Sequence, residues 1–225
     1  MMARRVRDNG LSLAFGAIFL ATLVGQAISG ADTFNHGQAL HNGDPISFGH
    51  YVTSALFWAD VMENWQSEYL QFTLYIFATI WLIQKGSNES KKPDRVGLES
   101  DEQQLLGAHT KPDSPRWAKA GGWRTAVFSN SLLLVMGAIW IASWLAQSLA
   151  GRIVYNADQL DHYAASVSWP TYITTADFWN RTLQNWQSEF LAVGSMVILS
   201  VFLRQRGSPE SKPVGAAHAD TATSG

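Results

Sequence analysis

Four apolar stretches, Leu11 to Ala31, Tyr69 to Gln84, Val127 to Gly151 and Phe190 to Leu203, contain no Asp, Glu, Lys, Arg or His. Each is about the length of a bilayer-crossing helix or a few residues short of it. The second stretch extends backwards as a helical stripe of Trp58, Met62, Trp65, Tyr69, Phe72 and Ile76, spaced by three or four. Trp179, Leu183, Trp186, Phe190, Val193 and Val197 repeat that stripe before the fourth stretch. Thr53 or Ser54 stands where a helix N-cap belongs, so this helix is predicted to start well before its apolar run. The pattern predicts an all-α integral membrane protein whose transmembrane helices cover about 10–31, 67–85, 127–151 and 188–205.

Shifted by 121 positions, Asn9 to Lys91 lies over Asn130 to Lys212 without a gap, with about 31 identities in 83 pairs. The pairs include Gly16-Ala17-Ile18 with Gly137-Ala138-Ile139, Gln26 with Gln147, Gly30 with Gly151, and Asn35, Gln38 and His41 with Asn156, Gln159 and His162. The strongest block is NWQSE, at 64 to 68 and at 185 to 189, each preceded by a Phe-Trp pair. Within Tyr69 to Ile83 only Leu70 and Leu82 match their counterparts, so the polar motif is predicted to do specific work in both halves. Each half holds an even number of spans and enters the membrane in the same direction. The expected fold is therefore two tandem helical hairpins related by a pseudo-two-fold axis along the membrane normal. Residues 1–91 form the first repeat, 92–123 a flexible connector bearing Pro93, Pro112 and Pro115, 124–212 the second repeat and 213–225 a disordered tail.

Only 15% of the 225 residues are charged and the net charge is −2, against about a quarter charged in an ordinary soluble domain. The mean hydropathy of −0.04 averages the spans with a polar middle and end. Absence of cysteine excludes disulfides, thiolate metal sites and thiol catalysis, and no basic excess points to nucleic acid. Lys and Arg gather before the first span, between Lys85 and Arg124, and at Arg204, Arg206 and Lys212. Only Arg152 and Arg181 fall elsewhere. The positive-inside rule places both termini and the connector in the cytoplasm and two loops of roughly 35 residues outside. Arg4, Arg5 and Arg7 before an apolar run also fit a signal peptide, but the matching span at mid-chain favours a retained helix.

Asn9 to Gln26 and Lys85 back to Glu68 are each seventeen residue steps, roughly 26 Å of helix. Gln26 and Glu68 are thus expected at one depth near the outer edge of the membrane, as are Gln147 and Glu189. Gly30 and Gly151 fall level with Asn64 and Asn185 and admit a close neighbour. A Gln to Glu hydrogen bond is predicted inside each hairpin. This polar cluster, Gln26, Asn64, Glu68, Gln147, Asn185 and Glu189, pairs helices on one reading; on the other, its two carboxylates bind a cation or relay protons. Asp60 corresponds to Arg181, so an ion pair between the repeats is expected. His41, Asp158 and His162 offer imidazole and carboxylate ligands, although Gly37 replaces Asp158 in the first half and no metal is expected. Lys85 or Arg206 should meet the negative end of its helix, with Gly86 or Gly207 as C-cap. No phosphate loop, dinucleotide fingerprint, HExxH or nucleophile elbow occurs, so no catalytic residue and no cofactor is assigned.

NWQSE followed by an apolar span and RQRGSPESK at 204 to 212, together with DNGLSL near the start, resembles a family of small bacterial membrane proteins described only as a domain of unknown function. The resemblance runs from Arg7 to Lys212 and brings no activity or site. It implies a bacterial inner-membrane location and the duplicated four-span layout. The favoured expectation is a non-enzymatic scaffold or partner-binding protein, in contact with the lipid bilayer and with itself or another membrane protein. A second is a small cation or proton transporter or channel using Glu68 and Glu189. A third is an outward-facing metal or pH sensor.

Overall fold

From Gly10 to Ala31 the chain has neither proline nor charge, and nothing in it stops a helix. In the computed structural model, which describes residues 6–224, this run forms α1, Gly10–Leu40. There follow α2 (Phe48–Val52), α3 (Ala55–Trp81), α4 (Arg116–Ala120), α5 (Gly122–Ser129), α6 (Ser131–Asp161), α7 (Trp169–Tyr172) and α8 (Ala176–Phe202), with single 3₁₀ turns at Pro93–Arg95 and Gly107–His109. The described residues are all-helical, with no strand. Two of these helices, α1 and α6, are long and apolar enough to cross a membrane. In α3 and α8 the first half carries Asp60, Glu63 and Glu68, and Asp177, Arg181 and Glu189, respectively, which leaves a shorter apolar run. Arg4 and Arg5 of the basic N-terminal group lie outside the described residues.

The chain divides into two compact units, Met1–Val61 with Ala146–Tyr172, and Met62–Leu145 with Ile173–Gly225. In the first, α1 is almost wholly uncovered: Leu11, Phe15, Ile18, Leu20, Val24 and Ile28 are each more than half exposed, and only Ala27 and Ala31 are buried. Its upper end is fastened by Asn35, which donates to the Ile46 carbonyl at 3.0 Å and accepts the Ile46 amide at 2.8 Å. That clamp folds the loop so that Tyr51 of α2 lies against α1, with its ring 6.2 Å from Phe34 and 5.7 Å from Phe57. A Cβ at Gly30 would come within 2.2 Å of the Tyr51 hydroxyl, so this contact exists only because position 30 has no side chain. At the end of α6, Asn156 makes the same pair of bonds to Val167, at 3.0 and 2.8 Å. Tyr172 is 1% exposed there, and a Cβ at Gly151 would lie 2.6 Å from its hydroxyl. The two glycines thus admit the tyrosines of α2 and α7.

In the second unit, Thr175 Oγ1 caps α8 by accepting the Phe178 amide at 3.3 Å. In the first unit, Ser54, just before α3, likewise accepts the Phe57 amide at 3.3 Å. Both helices stop earlier than their apolar runs predict, at Trp81 and Phe202. Leu203 is already extended (φ −93°, ψ 158°), and the Gln84 and Gln205 amides are each bound by a serine hydroxyl from further along, Ser90 and Ser211, at 2.9 Å. Gly86 and Gly207 do take positive φ, 89° and 82°, but close the loop after this extended piece and do not cap the helix. The cation at the end of α8 is Arg204, which donates to the carbonyls of Val201 and Leu203 at 3.1 and 2.8 Å, in place of the expected Arg206.

Residues 213–224, expected as a disordered tail, also have fixed partners. Lys212, 1% exposed, donates to the carbonyls of Ala217, His218 and Asp220 at 3.1, 3.0 and 3.2 Å. The Ala222 amide reaches the Ser87 carbonyl at 3.1 Å and Thr221 Oγ1 accepts the Gly86 amide at 2.9 Å.

Gly30→Ala should cost about 1–3 kcal/mol through overpacking, read by thermal unfolding in detergent. Adding Tyr51→Phe removes the nearest atom and should restore part of that loss; no restoration would mean that the glycine serves something other than tyrosine access.

Candidate functional site

Along α8, Arg181, Asn185 and Glu189 recur every four residues and so occupy one stripe of the helix. On α3 the facing groups are Glu63, Gln66 and Ser67; Gln66 and Ser67 are 0% and 1% exposed. Glu63 uses both carboxylate oxygens. Oε1 accepts from Asn185 Nδ2 at 2.8 Å and Oε2 from Arg181 Nη1 at 3.1 Å. Asn185 also donates to the Arg181 carbonyl at 2.9 Å, which fixes its amide orientation. Gln66 Oε1 accepts the Trp186 indole N–H at 2.7 Å while its own amide donates to the Glu63 carbonyl at 3.0 Å. Ser67 Oγ reaches Glu189 Oε1 at 3.5 Å and the Asn64 carbonyl at 2.9 Å. Buried polar groups that lack a partner are costly, and here the helices supply partners to one another.

The residues singled out from the sequence are distributed as follows. Asn64, Glu68, Asn185 and Glu189 belong to the second unit, where Glu68 lies close enough for its charge to act on Glu189. Gln26 and Gln147 belong to the first; Gln147 is 3% exposed, and its Oε1 has no partner among the described residues. Arg181 belongs to the second unit, binds Glu63 and lies 3.7 Å from Asp177 on its own helix. Asp60 belongs to the first unit, where its charge adds to the burial that pushes the Tyr51 phenol up. His41 and His162 each turn Nδ1 to a carbonyl of the preceding turn, Gly37 and Asp158, at 2.8 Å. That bond, helped by the Asp158 carboxylate 3.6 Å away, raises His162 above an ordinary imidazole. No group of three His, Cys, Asp or Glu side chains gathers to hold a metal among the described residues.

Sequence reasoning missed Glu63, although it stands directly before NWQSE, because its counterpart is Gln184 and the comparison of halves discards unmatched positions. It also missed Trp144. That ring lies 6.2 Å from Trp140, 5.9 Å from Phe178, 6.1 Å from Trp179 and 6.2 Å from Trp186.

A third omission is Glu89. Its carboxylate accepts the Tyr75 hydroxyl, and the two line a cavity of about 540 Å³ with Gln71, Phe72, Met196 and Glu210. The Gln71 Oε1 atom is buried with no partner among the described residues. The carboxyl of Glu210 is held above its ordinary range, first by a hydrogen bond shared with Glu89 and then by the charge of Glu89. The available signal was a glutamate at the same place in both GSxES loops, 86 to 90 and 207 to 211, which reads as loop punctuation when only Lys, Gly and Ser are considered.

A family model described as a domain of unknown function (DUF6766) matches residues 2–223. No curated protein and no solved structure matches the chain.

Two outcomes follow from this geometry. In a double-mutant cycle, Glu63→Ala and Arg181→Ala should be coupled by about 0.5–1 kcal/mol, since Arg181 is 39% exposed and partly screened; additivity would remove the ion pair from the site. For Glu210 the folded state favours the protonated acid. Its contribution is therefore complete below the ordinary value of 4.5 and is lost as pH rises above it. The drop in Tm between pH 4.5 and 7 should be smaller in Glu210→Gln than in the unaltered chain, and an unchanged drop would show that the two carboxyls do not share a proton.

Proposed function

We propose, from the premise that this chain belongs to the family described as a domain of unknown function (DUF6766), that it is a multi-pass protein of the bacterial inner membrane and serves as a non-enzymatic scaffold or partner-binding unit. Four spans arranged as two tandem hairpins with a pseudo-two-fold axis along the membrane normal are part of this reading. Both termini and the connector take the cytoplasmic side, where Lys and Arg concentrate. Support for membrane insertion comes from α1, whose large apolar side chains are exposed along its length. In water that surface is unfavourable by about 25 cal/mol per Å², whereas against acyl chains it needs no cover.

For α3 the helical run from Tyr69 to Trp81 gives about 20 Å, and the apolar residues Leu82 and Ile83 continue it toward the far side of a hydrocarbon core of about 30 Å. The duplicated layout is supported by recurrence at positions 121 apart: the Asn35 and Asn156 clamps, the Tyr51 and Tyr172 contacts with glycine, and the Ser90 and Ser211 loop bonds.

The observation that carries the scaffold reading is what the NWQSE groups are used for. Gln66 binds Trp186, Asn185 binds Glu63, and Ser67 meets Glu189. Side chains committed to pairing α3 with α8 are not free to turn over a substrate. Rigid pairing of α3 with α8 instead offers a fixed surface for a membrane partner or a second copy.

A proton or cation conduit using Glu68 and Glu189 is the second reading, favoured by the cavity that holds Gln71, Tyr75, Glu89 and Glu210 in the same unit. These groups extend the polar line of α3 past NWQSE toward the end of the helix. Purified protein in liposomes, assayed for proton and cation flux, separates the two. The scaffold reading expects no flux above empty vesicles and a Glu68→Gln, Glu189→Gln chain that differs only in stability. Flux that the double variant abolishes would establish the conduit.

A further inference from the structure

Between the connector and α6 the chain exposes a surface that its own fold does not use. Gly121 and Gly122 both take positive φ, 70° and 58°, a conformation open to glycine, and the chain turns sharply from α4 into α5. Thr125 Oγ1 donates to the Trp117 carbonyl at 2.8 Å and closes this corner. The Trp117 and Trp123 rings meet edge to face at 5.9 Å, and the Arg124 guanidinium lies 5.6 Å from the Trp123 ring centre. Both indoles stay in contact with the surroundings, 44% and 66% exposed, beside exposed Val127 and Phe128. The cations Lys111, Arg116, Lys119 and Arg124 accompany them, and the only acid from Lys111 to Asn130 is Asp113.

Indoles combine an apolar body with one N–H donor and favour the boundary between headgroups and acyl chains. Lys and Arg beside them favour phosphate oxygens of anionic lipids. The segment is also held where such lipids would be. Asn130 bonds back to the Ala126 carbonyl at 2.8 Å and its own carbonyl accepts the Leu134 amide at 2.9 Å, so α5 leads into α6 through a single residue. Trp123 stands four residues before Val127, where the apolar run begins, about 6 Å along a helix.

We propose that residues 111–128 form an interfacial anchor for anionic phospholipid: Trp117 and Trp123 enter the headgroup layer, and Arg116, Lys119 and Arg124 bind the phosphates. The proposal rests on the membrane reading above. Charge selects lipid over a protein partner here, because three net positive charges gather in a short segment directly before the apolar run, where anionic headgroups would lie.

The chain has no cysteine, so Ala120→Cys in the full-length protein gives one site for a nitroxide label, and Ile141→Cys in α6 gives a control. Each is reconstituted in vesicles of phosphatidylcholine alone or mixed with phosphatidylglycerol, and collision with oxygen and with a water-soluble nickel chelate reports depth. The expected result is loss of nickel access at position 120 in the anionic vesicles only. Arg116→Gln, Lys119→Gln, Arg124→Gln in the same chain should restore that access. Full nickel access at 120 in both vesicles overturns the anchor while an oxygen-rich environment at 141 leaves the membrane reading standing. Nickel access at 141 overturns both. Protection at 120 that ignores lipid charge and survives the triple substitution overturns the anionic-lipid assignment in favour of a protein contact.

Discussion

Glu63 and Gln66, one turn apart on α3, determine how the second unit is held. Each offers two functional ends, and each has both engaged: Glu63 by Asn185 and Arg181, Gln66 by Trp186 and a carbonyl of its own helix. Hydrogen bonds of this kind gain strength where water is scarce and become costly when half made. They also have direction, which apolar contact lacks, and so fix the register of α8 against α3. The aromatic group around Trp144 adds area to that contact, and the bond from Gln66 to Trp186 ties the polar and aromatic parts together.

The distribution of side chains departs from that of a water-soluble bundle. Among the described residues, those fully buried include Gln66, Ser67, Ser143 and Thr182, while Leu11, Phe15, Ile141 and Leu191 lie outside. Small and hydroxyl-bearing residues allow helices to approach closely, and lipid removes the advantage of hiding large apolar ones. Gly137 follows the same logic, with a Cβ there standing 3.7 Å from the Thr73 methyl. Ser143, Ser188 and Ser200 bond back to carbonyls of their own helices, Ser143 to Ile139 at 2.7 Å, whereas the buried Thr182 Oγ1 of α8 has no partner among the described residues.

Helix identity and the location of the polar contacts were legible because both depend on spacing. Period 3.6 and the charge-free runs mark α1 and α6, and NWQSE marks where α3 and α8 bond. The partners were less legible. Arg181 meets Glu63 and Asp177, and no rule of spacing singles out Glu63, whose counterpart in the other half is a glutamine. Helix ends were misjudged for a related reason. Leu82, Ile83 and Leu203 are apolar and continue the hydrophobic run, but the amides that follow are taken by Ser90 and Ser211, six residues on. A bond formed by a loop that folds back leaves no periodic trace. Glu89 and Glu210 were hidden in the same loops, where their meeting depends on tertiary structure.

The buried ammonium of Lys212 has a consequence for chemical modification. Three carbonyls converge on it from Ala217, His218 and Asp220, each needing a donor, and a protonated lysine supplies three in a compact head. Acetylation would leave a single N–H, remove the charge and add a carbonyl facing the others. The segment from 213 to 224 would then lose the centre about which it is wound, and its contacts with Gly86 and Ser87 would have to hold it alone. One covalent mark would thereby loosen the hold of Thr221 and Ala222 on Gly86 and Ser87, in the loop that follows α3.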